Sequence, residues 1–329
     1  MRSILLFLIA ATVLLTGCSS VWAEARAIDT LVQVETVGLD PSESGVALSI
    51  CAASPETRET VSGGSIRLAM DAMQQRTGSA ELFYAHAKYL LLGQGADIPA
   101  ALDFVARSSD MRLRTPVVLL KNASAAEATQ LGGKDIDVTA MLTALREDMD
   151  QHGSGHAYTC GEALRKLSTS GCALLAAAEL RDGTLQEAGY GILKDGIRVG
   201  WIEPEDAAAV HLLMSLRCRS DILLPEGVTV TMENSRCRIS DGNVALTLWA
   251  ELSENGGGID ITADGVRRTL EKALSEQVLA QIRRVLAQSR RLDADLFGVG
   301  DGDLTLSVRS RITRSLDLVD PIDLTGAAK

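Results

Sequence analysis

Cys18 is the residue with the clearest chemistry. It ends the segment Leu15-Thr16-Gly17-Cys18, with small residues ahead of the thiol. Before it come one positive charge, Arg2, and an apolar run from Ile4 to Leu15 broken only by Thr12. As a helix that run spans roughly 18 Å, too short for a bilayer core of about 30 Å, and it fits the apolar part of a secretory signal peptide. The four residues have the lipobox pattern of bacterial lipoproteins, in which a peptidase cuts before the cysteine and the sulfur carries a diacylglycerol. The expectation is a signal peptide over 1–17, lipidation at Cys18, and a chain held at the extracytoplasmic face of a membrane. Two acyl chains anchor firmly where one is marginal. The plain alternative is an ordinary signal peptide with a chance cysteine.

The other reactive side chains point to less. His152, His156 and Cys160 are four apart, a spacing that would stack metal ligands on one helix face. Gly153 and Gly155 oppose a helix there, so the segment reads as a solvated loop. His211 lies in an apolar helix and reads as a satisfied, half-buried residue; His86 is the fourth histidine. Lipidation of Cys18 leaves Cys51, Cys160, Cys172, Cys218 and Cys237, an odd number that cannot pair completely within the chain. There is no CxxC, and Cys51 and Cys172 fall in apolar runs, so these thiols read as small buried hydrophobes. Gly298 to Asp303 holds two aspartates and three glycines but lacks the third oxygen position and distal glutamate of a calcium loop, and reads as a turn. No GxSxG, HExxH or Walker A pattern occurs. No catalytic residue, metal site or cofactor is expected.

The elements that must carry these residues follow from the pattern. The 329 residues hold 46% apolar and 23% charged side chains, an ordinary globular balance with room for two or three domains. A net charge of −11 makes a poor nucleic-acid partner. Aromatics make up only 3%, which weakens readings that need aromatic-lined clefts. Val46, Leu48 and Ile50 alternate as in a strand. Ser65 caps a helix bearing Ala69, Met70 and Met73, and Asp97 caps another with Pro99 in its first turn. Lys88 to Leu92 and Thr115 to Leu120 suit buried strands. Helix candidates follow at Ala125 to Leu131 and Thr139 to Met149. Thr159 and Glu162 have capping-box spacing. Asp182-Gly183 and Asp195-Gly196 punctuate an apolar meander, and a helix carries Ala207, Val210 and Leu213. A hairpin around Ser240 to Asn243, a long helix from Thr262 to Arg291 and a strand at Leu304 to Val308 complete the chain. The fold class is α+β: three small mixed sheet-and-helix domains after the signal peptide, over 18–157, 158–225 and 226–329.

Trp22, Gly38, Asp40, His86, Lys88, Asp103, Trp201 and the run from Ala294 to Gly300 follow Cys18 in an order that resembles the Ger(x)C family, the lipoprotein C subunit of spore nutrient germinant receptors. Trp22, Arg26, Ile28, Asp29 and Leu31 follow the lipobox, then Gly38 and Asp40 match a "G-x-D" strand end. Phe83 to Lys88 matches "Y-x-G-H-x-K", and Leu102-Asp103-Phe104 with Arg107 matches "L-D-F-x-x-R". Gly189 to Asp195 with Gly200-Trp201-Ile202 resembles the family's hairpin. Ala294-Asp295-Leu296-Phe297-Gly298-Val299-Gly300 matches "A-D-I-F-G-F-G". The set runs from Cys18 to about Ile312. Departures lie after Gly300, where a basic aromatic segment is replaced by Asp301, Gly302 and Asp303, and at the end, where Arg311 and Arg314 are followed by Ser315 and Leu316 in place of glycine. The segment after Lys121 is shortened.

The resemblance implies no enzyme activity, and assembly with two integral membrane subunits, A and B, at the spore inner membrane. The membrane contact is the diacylglycerol on Cys18. A solute-binding lipoprotein of an uptake system is the alternative, and a lipid-anchored cell-wall enzyme a third reading that no motif supports. Arg283, Arg284, Arg290 and Arg291 end the long helix as a candidate contact for acidic headgroups, set against a plain solvated helix end.

Overall fold

The computed structural model describes residues 31–313, except 53–56, 79, 133–136, 217, 218, 241, 257, 261–263 and 301. Cys18, the signal segment, Cys218, Asp301 and everything from Arg314 onward lie outside the described residues. Among the described residues, thirteen strands and seven helices build two sheets, in keeping with the expected α+β class.

The first sheet holds β1 (Leu31–Ser42), β2 (Gly45–Ala52), β3 (Arg58–Gly63), β4 (Glu81–Phe83), β5 (Tyr89–Leu92), β6 (Val117–Leu120), β7 (Cys172–Arg181), β8 (Thr184–Lys194) and β9 (Ile197–Ile202). Their order is β3-β2-β1-β5-β6-β7-β8-β9, with β4 also beside β1. The centre, β1-β5-β6-β7, is parallel, and both flanks are antiparallel. The intervening helices are α1 (Ile66–Arg76), α2 (Ile98–Arg107), α3 (Ala125–Thr129), α4 (Val138–His152), α5 (Cys160–Ser170) and α6 (Pro204–Leu213).

Helices cover both faces, which is why the central strands are continuous apolar runs. Leu90, Leu92, Val117 and Leu119 share one core with α1, α2 and α5, whereas Tyr89, Leu91, Val118 and Leu120 share another with α3 and α4. The same second layer buries Ser49 and Cys51 on β2, whose alternation alone predicts a strand with one solvated face. The boundary expected at residue 157 falls between α4 and α5. Because β6 pairs with β7 through Leu119–Ala177 and Leu120–Ala178, the segments on either side of it share one sheet.

Local signals set the element ends. In both Asp-Gly turns each residue has positive φ, Asp182 and Gly183 at 51° and 74°, Asp195 and Gly196 at 50° and 81°. This is the type I′ geometry that matches strand twist. Thr159 and Glu162 form a reciprocal capping box at α5, with the Thr159 N–H donating to the Glu162 carboxylate at 2.9 Å and the Glu162 N–H to Thr159 Oγ1 at 3.2 Å.

The Thr159 amide bond holds the Glu162 carboxyl below its ordinary value of 4.5. The stability that this charge contributes is therefore complete above the unfolded value and is lost as pH falls through the lower, folded one. Glu162→Ala should cost about 1 kcal/mol at neutral pH, and denaturant titrations at successive pH values should show its penalty vanishing in the acid range. A penalty independent of pH would contradict this account.

The second sheet is β10 (Asp221–Leu223), β11 (Val228–Ser240), β12 (Asn243–Asn255) and β13 (Thr305–Thr313), in that order. β11 and β12 form a long antiparallel hairpin, and β13 lies parallel to β12. The crossover is α7 (Asp264–Arg291), as a parallel pair requires. Leu270, Leu274, Val278, Ile282, Val285 and Leu286 of α7 are buried in one core with Leu246, Leu248 and Ala250 of the sheet. Helix α6 packs against both α7 and β8, joining the two sheets.

Candidate functional site

Three chain segments meet at the carboxyl end of β1. Asp40 is 6% exposed, and its carboxylate accepts the first amides of α3, from Ala125 at 2.7 Å and Ala126 at 2.8 Å. Burial pushes the Asp40 carboxyl above its ordinary value, against the pull of those two N–H groups. Ser124 and Glu127 complete the helix start as a second capping box. Gly38 and Gly93 make room for this: a Cβ at Gly38 would lie 2.7 Å from Ala125 Cβ, and one at Gly93 would lie 1.7 Å from an Asp40 oxygen. The Gly38-x-Asp40 pattern is thus a device that lets α3 close down on β1.

Beside it, along the same sheet edge, runs a groove of about 730 Å³. Leu39 and Val46 lie on the strand side, the start of α1 at Ser65 and Ile66 on another, and Phe104 of α2 opposite. In parallel sheets this edge, outside the carboxyl ends of the strands, is where ligands bind. Its charges are committed to one another: Arg67 lies 2.5 Å from Asp110, and Arg107 Nε donates to both Asp103 oxygens at 2.8 and 2.9 Å. A smaller hollow of about 270 Å³ adjoins it at Gly95 to Asp97 and reaches Trp201. There the Arg198 guanidinium stacks on Trp201 at 4.5 Å, and Lys121 pairs with Glu203 at 2.7 Å. The groove offers shape and apolar surface. Its lining contains no histidine or cysteine, and Ser108 Oγ donates to Asp110 at 3.2 Å.

The histidines and the described cysteines lie apart from this groove, whereas Asp40, Asp103, Phe104 and Arg107 of the matched blocks line it. Cys18, the expected lipidation site, is outside the described residues. His152 is at the exposed end of α4, 3.3 Å from Asp148, and Gly153 in a left-handed conformation stops the helix there. His156 meets Tyr158 edge-on at 4.6 Å. Cys160 is fully buried in α5, and burial pushes its thiol up to about 12, so it stays protonated. Among the described residues no three histidine, cysteine, aspartate or glutamate side chains come together as a metal site would need. His211 is only 2% exposed, deeper than half-buried, and its Nε2 shares a 2.6 Å hydrogen bond with the Tyr190 hydroxyl. Cys51 and Cys172 are buried free thiols, and Cys237 is half-buried.

The other matched blocks are used in packing. Asp295 accepts the Val299 and Gly300 amides at 2.9 and 3.1 Å, with Gly298 and Gly300 at φ 69° and 74°. Lys194 of the meander reaches Asp293 at 2.5 Å, tying β8 to this turn. Gly200 lets Leu292 lie against β9, since a Cβ there would be 2.7 Å from Leu292 Cδ1. Of the arginines ending α7, Arg284 grips Asp206 at 2.6 Å and Arg290 donates to the Gly302 carbonyl at 2.6 Å.

Comparison with known proteins gives one domain match and one likeness of fold. Residues 24–180 match the model of the spore germination protein N-terminal domain. No curated protein matches the sequence. The crystal structure of the GerBC protein superposes with a TM-score of 0.55 at 13% identity, covering 84% of this chain and 96% of that one. A structure of Era in complex with MgGDPNP and a segment of 16S ribosomal RNA aligns at 11% identity over 87% of this chain and 82% of that one, but its TM-score of 0.18 carries no likeness of fold.

Proposed function

We propose, from the match of residues 24–180 to the spore germination protein N-terminal domain, that this chain is of the Ger(x)C family and is the lipid-anchored, non-catalytic C subunit of a spore nutrient germinant receptor. In this reading it works with integral membrane A and B subunits at the spore inner membrane. The observation that carries it is the lipobox ending at Cys18, followed directly by a spore germination domain. In this reading attachment is through the diacylglycerol on Cys18, and among the described residues no helix is long and apolar enough to cross a membrane. The apolar groove and self-paired charges suit a binding and assembly role over chemistry.

Crosslinking in purified spore membranes tests the assembly. Two integral membrane proteins should be recovered with this chain, one of them permease-like with about ten spans. Recovery of the chain without either would remove the receptor reading.

The groove favours one other reading, a solute-binding lipoprotein. Saturable binding of a small solute by the isolated chain, blocked by Ala100→Trp in the groove wall, would support that instead.

A further inference from the structure

The outer face of the second sheet carries a compact group of arginines. Arg236 and Arg238 on β11, and Arg309 and Arg311 on β13, are all exposed. The register places them together: Arg236 and Arg309 both lie opposite Thr247 of the central strand, Arg238 is opposite Ala245, and Arg311 is opposite Trp249. Strands are about 4.8 Å apart and alternate residues about 7 Å, so four guanidiniums project from an area of roughly 10 by 14 Å. The half-buried Trp249 indole lies among them.

None of the four pairs with an acid among the described residues, in a chain whose net charge is −11. The nearby carboxylates sit at the margins. Glu251 is opposite Thr231 and Thr313, Glu233 lies 3.7 Å from Arg219, and Asp303 borders the β11–β12 turn. The opposite face of the sheet is filled by α7, and on this face the four arginines are exposed among the described residues.

We propose that this face docks on an anionic phospholipid surface, with Arg236, Arg238, Arg309 and Arg311 on the phosphates and Trp249 at the headgroup level. Clustered basic side chains beside a tryptophan fit the polar–apolar boundary of a bilayer, where guanidiniums take phosphates bidentately and an indole finds both phases. The proposal rests on the membrane-anchored reading for its setting: a chain tethered at Cys18 meets the bilayer continuously, so weak contacts suffice to orient it. Arg283 and Arg291 at the end of α7 make the comparison patch.

The test uses the chain from Cys18 onward, made without its signal segment so that no acyl group is present. It is titrated with vesicles of phosphatidylcholine containing about 30 mol% phosphatidylglycerol, and with phosphatidylcholine alone, at about 0.15 M salt. Binding to the anionic vesicles only is expected. R309Q should weaken it about fivefold, the R236Q/R238Q/R309Q/R311Q variant should abolish it with an unchanged melting temperature, and R283Q/R291Q should leave it intact. Equal binding to both vesicles, no binding, or full binding by the fourfold variant would overturn the proposal. So would capture of an acidic polypeptide through these arginines without vesicle binding. Acyl labelling of Cys18 in cells is read separately, so failure of the anchor and failure of this surface are distinguishable.

Discussion

Cys18→Ala abolishes acyl labelling and leaves the precursor uncleaved: this is the expected result, and it is all or none. The sulfur is the only atom to which the diacylglycerol can attach in a lipobox, and the peptidase that cuts before this position acts on the acylated form. A serine at 18 keeps the size but supplies no thiol and should fail in the same way. Leu15-Thr16-Gly17 and the apolar run ahead of them remain unchanged in either variant, so export itself should persist and the precursor should stay tethered by its uncleaved leader. Metabolic labelling with a radioactive fatty acid, with the size of the product read on the same gel, gives both outcomes. Unchanged labelling would refute the lipoprotein assignment. A native chain that takes no label and is cleaved as well as the variant would point to an ordinary signal peptide.

Gly93→Ala should be among the more damaging single methyl groups in the described fold. Its Cβ would lie 1.7 Å from Asp40 Oδ1 and 2.8 Å from the Ala125 backbone nitrogen, and neither atom belongs to a flexible chain end. To make room, Asp40 must release the Ala125 and Ala126 amides, leaving buried donors without partners and a carboxylate displaced within a buried site. Overpacking and lost charge-assisted bonds together give about 3–5 kcal/mol, a large part of a domain's total stability. Gly95, two residues on, is the control for the loop as a whole: it sits at φ 86° but a Cβ there meets nothing closer than Pro41 Cγ at 3.6 Å. Gly95→Ala should cost only the strain of its left-handed backbone, about 1 kcal/mol. Chemical denaturation of both variants decides the matter. Equal losses would mean that the Asp40–α3 contact is not what Gly93 serves.

What could be read from the sequence was local, and what could not was set by partners far along the chain. The type I′ turns at 182–183 and 195–196 and the Thr159–Glu162 box each complete themselves within a few residues, so their spacing was sufficient. The apolar runs of β5 and β6 announced burial on both faces. By contrast, β1 mixes Gln33, Glu35 and Thr36 among its apolar residues and pairs with β2, β4 and β5, so its periodicity is blurred by different neighbours at different points. The buried role of Asp40 depends on amides 85 and 86 residues away. The groove depends on α1 and α2 both starting beside the end of β1, and neither start by itself implies a hollow. The arginine face shows the same limit. Arg311 stood out only as a terminal arginine of the family pattern, because its proximity to Arg236 exists only through the register of β12 between them.

The pairing of β6 with β7 bears on how the chain can be divided for study. A fragment ending at Arg181 would look complete by sequence, with every strand up to β7 present. It would lack β8, which hydrogen-bonds along β7 from Cys172 to Arg181. The exposed margin would then be the run Cys172 to Ala178, seven consecutive residues that are buried in the whole chain. An edge that long, apolar and uncharged is a template for strand addition between copies. Such a fragment should be recovered as aggregates, while one extended through β9 to Ile202 ends on a strand whose exposed Ile197 and half-exposed Arg198 already face water.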